Sequence, residues 1–575
     1  MEEDISVTGA ARRVNAAIVF ITASVPTLAG PPARATLAPQ GLSERVREAI
    51  RERIEAAGHP LVLEVAGEPV YSRSALPRFY EGRTYTPAWS DEGGPRPRVN
   101  ALLASIESSD DEGLNPEDYH QSAIRSTLRR AMEARRRGGP DVSALADLDL
   151  LLSDAFLIYG AHLVSGRVNP ASIHPEWTAT RRERDLVALL DTALANDRIG
   201  AALKSLLPTR SEYFGLRDAL ARYREIREAG GWPPLPGDAR LETGSSGGRV
   251  VTLRRRLTAS GELSPDLADG DTFDVALAEA VRRFQRDHGL DEDGVVGPAT
   301  RSALNVSVGD RIAQIEANLE RWRWLPENLG RRHIVVNIAN FELVLTDSTG
   351  TALTMKVVVG QTYHRTPVFS DTMRYVVLNP YWNVPHSIAV REILPLVRKD
   401  PAYLTREHME VLSSAEGTPV DPGTIDWGRV RAAEFPFRLR QLPGPANALG
   451  RVKFMFPNAY NVYLHDTPAR ELFTKSVRGF SHGCIRLEKP MELLAYVLRG
   501  SRMWTQERIR AVLERQRQTT IPIPDPLPIH ILYWTAWTDA HGDLQFRNDI
   551  YGRDVPLQRA LRTPPPRPSP TVVPR

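Results

Sequence analysis

The stretch from residue 229 to 248, AGGWPPLPGDARLETGSSGG, divides the sequence into two parts with different hydrophobic rhythms. Its glycines, prolines and serines are typical of a linker rather than of a helix or strand interior. Before it, apolar residues recur every three or four positions, as in LSERVREAIRERIEAA, which predicts helices. After residue 331, runs such as HIVVNIANFELVLTD and LTMKVVVG predict strands. We therefore expect a multidomain α+β protein, with a helical scaffold domain over 41–230 and a mainly-β domain over 331–555.

A compact unit over residues 241–305 follows the linker. Its apolar residues form two helical stripes, Val250, Leu253, Leu257 and then Ala280, Val281, Phe284. The segment GLDEDGVVGPATRSAL adds a turn and a helix that begins with proline. This pattern predicts a small three-helix module.

Residues 386–450 interrupt the strand pattern of the C-terminal half. Their sequence is mixed, with turns such as SSAEGTPVDPGTIDWG and QLPGPANALG, and strands resume at RVKFMF and YNVYLHD. We therefore expect a capping insertion that lies over a sheet. The last residues, 563–575, are rich in proline and are predicted to be a disordered tail.

The charge of the chain is nearly balanced, with 73 basic and 70 acidic residues and a net charge of +3. This balance gives no electrostatic basis for binding nucleic acid or an anionic membrane surface. Near the N-terminus, Arg12 and Arg13 precede an uncharged stretch from Val14 to Ala29, followed by small residues and prolines. That order predicts a signal peptide or signal anchor within residues 1–35, and hence export to the periplasm with the option of membrane anchoring.

Cys484, in the stretch FSHGCIRL, is the only cysteine of the chain. One cysteine cannot form an internal disulfide, and in an oxidising compartment a spare thiol is a liability, which favours a functional role. A nucleophilic thiol needs a base and donors for an oxyanion. His482 lies two residues before Cys484 and His465 lies 19 residues before it, and the residues alone leave both open as the base. The N–H groups of residues 482–484 are expected to converge on the oxyanion.

The span from His465 through Ser481-His482-Gly483-Cys484 resembles the catalytic motif of the L,D-transpeptidases with a YkuD-type domain. The resemblance implies that Cys484 is the nucleophile and that His465 is its base. It implies an oxyanion and supporting role for Ser481, His482 and Gly483.

Longer stretches resemble the large periplasmic YcbB-type subgroup of this family. They include FYEGRTYTPAWSD, GAHLVSGRVNP, NPYWNVPHSIAVREILP and FRNDIYGRD, and residues 241–305 are similar to the peptidoglycan-binding domain type 1. The subgroup implies a helical scaffold, a wall-binding module and a catalytic domain with a capping insertion. His386 departs from the subgroup pattern, which has a second proline there.

The resemblance implies acyl transfer between peptidoglycan stem peptides. A Cys484 thiolate, paired with an imidazolium of His465, would attack the third stem residue and release D-alanine, and an amine of a second stem would then form a 3→3 cross-link. No cofactor and no metal are implied. The implied partners are stem peptides and glycan, with functional links to wall synthases and D,D-carboxypeptidases, and carbapenems are expected to acylate the thiol.

Three further residues are candidates for substrate binding. Arg486 is a candidate to hold a substrate carboxylate or to brace the loop. Tyr463 lies, by strand alternation, on the same side as His465, and Trp382 is either a wall of the substrate cleft or a core aromatic. Asp466, which follows His465 directly, is expected to face away from it.

Other functions fit parts of this pattern. A cysteine L,D-carboxypeptidase or hydrolase would use the same thiol, with water as the acceptor. A non-catalytic peptidoglycan-binding protein would depend on residues 241–305 alone. A metal site of His465, His482 and Cys484 would have only three ligands.

Overall fold

The computed structural model describes residues 41–58, 61–175, 177 and 182–565. The predicted signal or anchor over 1–35 lies outside the described residues, as does the proline-rich tail from 566 onward. No helix in the described ranges is long and apolar enough to cross a bilayer.

The part of the chain before the linker is helical, with two short strand pairs. Its long helix Val142–Ser165 begins at Asp141, whose side chain accepts a hydrogen bond from the N–H of Ala144, and ends at Gly166, whose φ is 82°. This helix is buried on almost every side and forms the centre of the domain. In chain order the elements are α1 (Leu42–Ala56), β1 (Glu64–Val65), β2 (Glu68–Pro69), α2 (Ala75–Gly82), β3 (Ser90–Asp91), β4 (Gly94–Pro95), α3 (Arg98–Glu107), α4 (Gln121–Arg136), α5 (Val142–Ser165), α6 (Pro170–Ile173), α7 (Leu186–Ala195), α8 (Ile199–Lys204) and α9 (Ser211–Glu228).

The module after the linker is helical, as predicted. It contains α10 (Gly248–Ser260), α11 (Val275–Asp287) and α12 (Pro298–Leu304). The two predicted stripes meet in its core, where Leu253, Leu257, Val281 and Phe284 are fully buried. Helix α13 (Val308–Arg323) then leads into the C-terminal domain.

The C-terminal domain is mainly β, so the predicted multidomain α+β architecture is confirmed. In chain order its elements are β5 (His333–Asn337), β6 (Glu342–Asp347), β7 (Gly350–Gly360), β8 (Phe369–Leu378), β9 (Trp382–Asn383), α14 (His386–Ile388), a π-helical turn (Ala389–Ile393), α15 (Leu394–Lys399), α16 (Tyr403–Arg406), β10 (Met409–Ser413), β11 (Pro419–Val420), β12 (Phe437–Gln441), β13 (Val452–Met455), β14 (Leu464–His465), β15 (Gly479–Ser481), β16 (Ile485–Leu487), α17 (Pro490–Val497), α18 (Gln506–Glu514), β17 (Thr519–Leu532), β18 (Ala536–Thr538), β19 (Leu544–Phe546) and α19 (Asp554–Arg562).

Strand β7 closes the main sheet into a barrel. The strand order is β15-β7-β16-β14-β13-β8-β17-β5-β6, and β7 pairs with β6 as well as with β16. Alternate residues of each strand fill the interior. In β13, for example, Val452 and Phe454 are fully buried, and Lys453 between them projects from the outer face. Burying each such apolar side chain contributes about 1.5–3 kcal/mol relative to exposure.

The segment between β8 and β13 forms a separate lobe, which we call the capping lobe (residues 382–441). Its strands make a four-stranded sheet in the order β11-β10-β12-β9. It has its own core, which includes Ile393, Leu404, Val411 and Leu439.

Candidate active site

A cavity of about 1060 Å³ lies over the outer face of β13, β14 and β16, between the barrel and the capping lobe. The barrel contributes His465 and Cys484 to its lining, and the capping lobe contributes Trp382 and Glu392. The solitary thiol is therefore at the wall of a large cleft, where Cys484 is half-buried.

The strand register places His465 in a row with two cations. Lys453 of β13 is paired with His465 of β14, and His465 is paired with Arg486 of β16. Paired residues of neighbouring strands share a face of the sheet. The three side chains therefore project together into the cavity, and all three line it.

Cys484 lies at the next row of the same face. Leu464 is paired with Ile485, and the N–H of Ile485 donates to the carbonyl of Tyr463 at 3.1 Å. Because side chains alternate along a strand, Tyr463 and Cys484 share the face that carries His465. His465 and Cys484 are thus diagonal neighbours on one face of adjacent parallel strands.

The loop that carries the thiol is held by its own side chains. The hydroxyl of Ser481 donates to the carbonyl of Cys484 and accepts a hydrogen bond from the N–H of Gly483 at 3.1 Å. Thr366 donates to the carbonyl of Gly483 at 2.9 Å, and the φ of Gly483 is +115°, which favours glycine. In this conformation the Gly483 N–H donates to Ser481, and the oxyanion role of the loop stays a prediction.

The surroundings of the thiol favour its protonated form. Burial raises the pKa of Cys484, and hydrogen bonds from Tyr463 and the charges of Lys453 and Arg486 oppose that rise without cancelling it. The Sγ atom donates to the carbonyl of Asn461 at 3.8 Å.

His465 is buried and has one defined tautomer. Its Nδ1 donates to the carbonyl of Asp466 at 2.6 Å, which leaves Nε2 as the proton acceptor. Burial lowers the pKa of His465 to about 3, with further lowering by the charges of Arg486 and Lys453 and a smaller rise from the hydrogen bond to Asp466. These shifts favour a neutral imidazole at neutral pH, and the thiolate–imidazolium pair stays a prediction.

Asp466 orients His465 through its main chain and not through its carboxylate. The carboxylate accepts hydrogen bonds from the N–H of Arg451 at 2.8 Å and of Thr467 at 2.7 Å, and it pairs with Arg470. The side chain thus faces away from the imidazole, as strand alternation predicts.

His482 contacts the capping lobe. Its Nε2 lies 2.6 Å from Oε1 of Glu392, and its ring lies 5.0 Å from the ring of His364. The two candidate bases therefore have different surroundings. A main-chain carbonyl orients His465 on the face of the barrel that lines the cavity, and His482 contacts the capping lobe.

Lys453 was missed by the sequence reasoning. Its Nζ lies 3.7 Å from the centroid of the Tyr463 ring, and within the described part of the chain it forms no ion pair with a carboxylate. Arg486 likewise has no carboxylate partner in these ranges, and its Nε is buried without a hydrogen bond. The position of Lys453 between the apolar residues of RVKFMF is the signal that marks it as facing the cleft.

The remaining candidates also line the cavity. Tyr463 and Trp382 are both half-buried, Tyr463 on the barrel and Trp382 on β9 of the capping lobe. Their roles in substrate binding stay predictions. His386 is exposed on the lobe, with its ring 6.1 Å from that of Phe435.

Among the described residues, no group of three or more His, Cys, Asp or Glu side chains could hold a metal ion.

Three known families match successive parts of the chain. Residues 331–506 match the YkuD family, described as the L,D-transpeptidase catalytic domain. This chain carries a YkuD-type L,D-transpeptidase domain. Residues 246–304 match the family described as "Putative peptidoglycan binding domain", and residues 74–220 match the family described as a scaffold domain.

Curated relatives are similar to parts of the chain. It is 36% identical over 247 residues to a Haemophilus influenzae protein named "Putative L,D-transpeptidase". The aligned residues make up 43% of this chain and 49% of that protein. The chain thus spans about half the length of this relative. It is also 36% identical over 64 residues, 11% of this chain and 18% of the relative, to the N-acetylmuramoyl-L-alanine amidase CwlL of Bacillus licheniformis.

Solved structures add a weak likeness to the L,D-transpeptidase domain. A crystal structure of the L,D-transpeptidase from Xylanimonas cellulosilytica is 17% identical and covers 52% of this chain and 99% of that structure, with a TM-score of 0.17. At that score the likeness supports no conclusion about this chain.

Proposed function

We propose that this chain is a peptidoglycan L,D-transpeptidase that transfers stem peptides through a thioester on Cys484. The observation that supports the proposal best is the pairing of β14 with β16, which makes His465 and Cys484 diagonal neighbours on one face of a large cavity. The matching catalytic and peptidoglycan-binding domains support peptidoglycan as the substrate and the cell envelope as the location.

The first half-reaction begins from a neutral thiol and a neutral imidazole. As Sγ of Cys484 attacks the carbonyl carbon of the third stem residue, Nε2 of His465 takes the thiol proton. The carbonyl π electrons move to oxygen, where the N–H of Cys484 and the charges of Lys453 and Arg486 stabilise the oxyanion. When the oxyanion collapses, the C–N bond breaks, His465 returns its proton to the leaving nitrogen, and D-alanine departs from a thioester.

The second half-reaction reverses these roles on a second stem. A neutral amine of the acceptor attacks the thioester carbonyl, His465 takes a proton from the attacking nitrogen, and the C–S bond breaks. The sulfur recovers the proton from His465, and the new amide is the 3→3 cross-link. Attack by water would give a free tripeptide instead, which is the reaction of an L,D-carboxypeptidase.

Product analysis with a purified chain tests the proposal. With a disaccharide-tetrapeptide that ends in D-alanine, we expect released D-alanine and a cross-linked dimer by mass spectrometry. Cys484→Ala is expected to abolish both, and dimer formation that survives this change would refute the nucleophile. Tripeptide without dimer would assign the hydrolase instead.

A carbapenem provides a second, independent readout. We expect one covalent adduct per chain in the intact mass, and none in the Cys484→Ala variant. A second adduct site, or an adduct on the variant, would contradict the assignment of the reactive thiol.

A further inference from the structure

Two further concavities continue the catalytic cavity towards the helical module. The first, of about 400 Å³, shares Thr362 and Tyr363 with the cavity that holds Cys484. The second, of about 460 Å³, shares Phe341 and Val477 with the first and reaches residues 288–292 of the module. The shared residues make the catalytic cavity and the two concavities a series of neighbours that leads from the thiol to the module. We call the two concavities together the guide groove.

Exposed apolar side chains lie along this path. Tyr363 is 75% exposed and Val477 is 56% exposed, the first at the junction with the catalytic cavity and the second at the junction of the two concavities. Both side chains are therefore accessible to a ligand in the groove.

Two lysines line the half of the guide groove that is nearer to the module. Lys356 and Lys475 are both exposed, and neither pairs with a carboxylate within the described ranges. Lys356 donates to the carbonyl of Phe473 at 3.2 Å, and Nζ of Lys475 lies 5.0 Å from the ring of Phe480. Both ammonium groups are therefore available to an anion from solvent.

Three acidic residues line the guide groove within the described part of the chain. Asp291 and Glu292 lie on the module at its far end. Glu342 lies opposite Lys356 on the neighbouring strand and accepts a hydrogen bond from Asn340. The concavity nearer to Cys484 has no carboxylate among its described lining residues.

The walls of the guide groove are fixed before any ligand arrives. The guanidinium of Arg478 donates to the carbonyls of Val357 and Phe341, which ties the segment carrying Lys475 and Val477 to the barrel. On the other wall, Arg547 donates to the carbonyl of Asp287 at 2.9 Å, which joins the module to the C-terminal domain.

We propose that the guide groove holds a peptidoglycan strand by the carboxylates of its stem peptides, between the module and the cavity of Cys484. This inference rests on the proposed function for the identity of the polymer. Lys356 and Lys475 bind peptide carboxylates, and Val477 and Tyr363 contact the apolar parts of the strand. The groove thereby presents the reacting stem to the thiol from the side of the module.

Binding of a catalytically silent chain to purified sacculi tests the guide groove. Both variants are made in a Cys484→Ala background. The groove variant is Lys356→Glu/Lys475→Glu. The control is Lys204→Glu/Lys399→Glu, which changes the net charge by the same amount at exposed lysines outside the groove. We expect about tenfold weaker binding for the groove variant at low salt, since each exposed charge pair contributes modestly, and a smaller loss at about 0.5 M salt. Binding within twofold of the parent, or an equal loss in both double variants, would overturn the proposal.

A second arm identifies the chemical group that is bound. On sacculi whose stem peptides have been removed by an amidase, the difference between the two double variants is expected to vanish. If it persists, the lysines bind glycan and the assignment to peptide carboxylates is wrong. Release of D-alanine by the unmutated chain tests the proposed function, and binding to sacculi tests the guide groove. A negative result in one assay therefore does not decide the other.

Discussion

Nε2 of His482 lies 2.6 Å from Oε1 of Glu392, so the residue two places before the thiol is joined to the capping lobe. The side chains are 32% and 49% exposed. A contact this exposed is screened by water and contributes about 0.2–1 kcal/mol. It positions the lobe over the cavity and can break at low energetic cost.

Glu392→Gln is expected to weaken substrate binding more than it slows the chemistry. Losing the carboxylate charge frees the lobe from His482, and we expect KM for a tetrapeptide donor to rise about two- to fivefold. The kcat is expected to change less, because in the proposed mechanism neither side chain transfers the proton, which is assigned to His465. Steady-state release of D-alanine measures both. Glu416→Gln, at an exposed lobe position, is the control, and an equal effect of the two variants would contradict this role.

Alkylation of Cys484 should report a neutral thiol. Burial raises the pKa of this thiol and lowers the pKa of His465 to about 3, so both shifts favour uncharged groups at neutral pH. Without substrate, the rate of alkylation by iodoacetamide is expected to stay low at about pH 5–7 and to rise steadily above about pH 9. A plateau of fast alkylation at mildly acidic pH would instead demonstrate a thiolate–imidazolium pair.

Lys453→Met should slow acyl transfer without unfolding the barrel. Methionine keeps an apolar stem over the ring of Tyr463 and removes the ammonium that lowers the pKa of Cys484. We expect a loss of about tenfold in kcat/KM, corresponding to about 1.4 kcal/mol. Lys453→Arg is expected to recover part of the rate because it restores the charge. If the Met and Arg variants are equally slow, packing and not charge explains the loss.

Gly450→Ala should destabilise the support of His465. The φ of Gly450 is 61°, and an added Cβ would lie 2.4 Å from Cγ of Asp466, the residue whose carbonyl orients the imidazole. We expect the free energy of unfolding to fall by about 3 kcal/mol. Gly417→Ala is the matched control, with a φ of 68° and no atom within 4 Å, and should cost about 1 kcal/mol. Equal losses in thermal unfolding would rule out the contact with Asp466 as the cause.

The sequence was sufficient to predict the multidomain α+β architecture and to single out the motif around the thiol. The change from helical to strand periodicity predicted the architecture, because both periods follow from which face of an element is buried. The motif from His465 to Cys484 led to two residues that line one cavity. The choice between His465 and His482 stayed open on spacing alone, because it depends on which strands pair.

Other features of the site could not be read from the sequence. The group that orients His465 is a main-chain carbonyl, which every residue type possesses. Glu392 belongs to an insertion, and its contact with His482 depends on where the capping lobe lies. The charge state of the thiol stays a prediction, because the pKa depends on the depth of burial, which residue spacing does not determine.

Strand β7 has two roles. Its pairing with β6 closes the barrel, and its pairing with β16 holds the three-residue strand next to the thiol. A strand of that length has no stability of its own. On heating, the proposed activity should therefore be lost in the same transition in which β6 and β7 separate. No species that keeps the barrel but has lost the fold of the thiol-bearing loop should be populated.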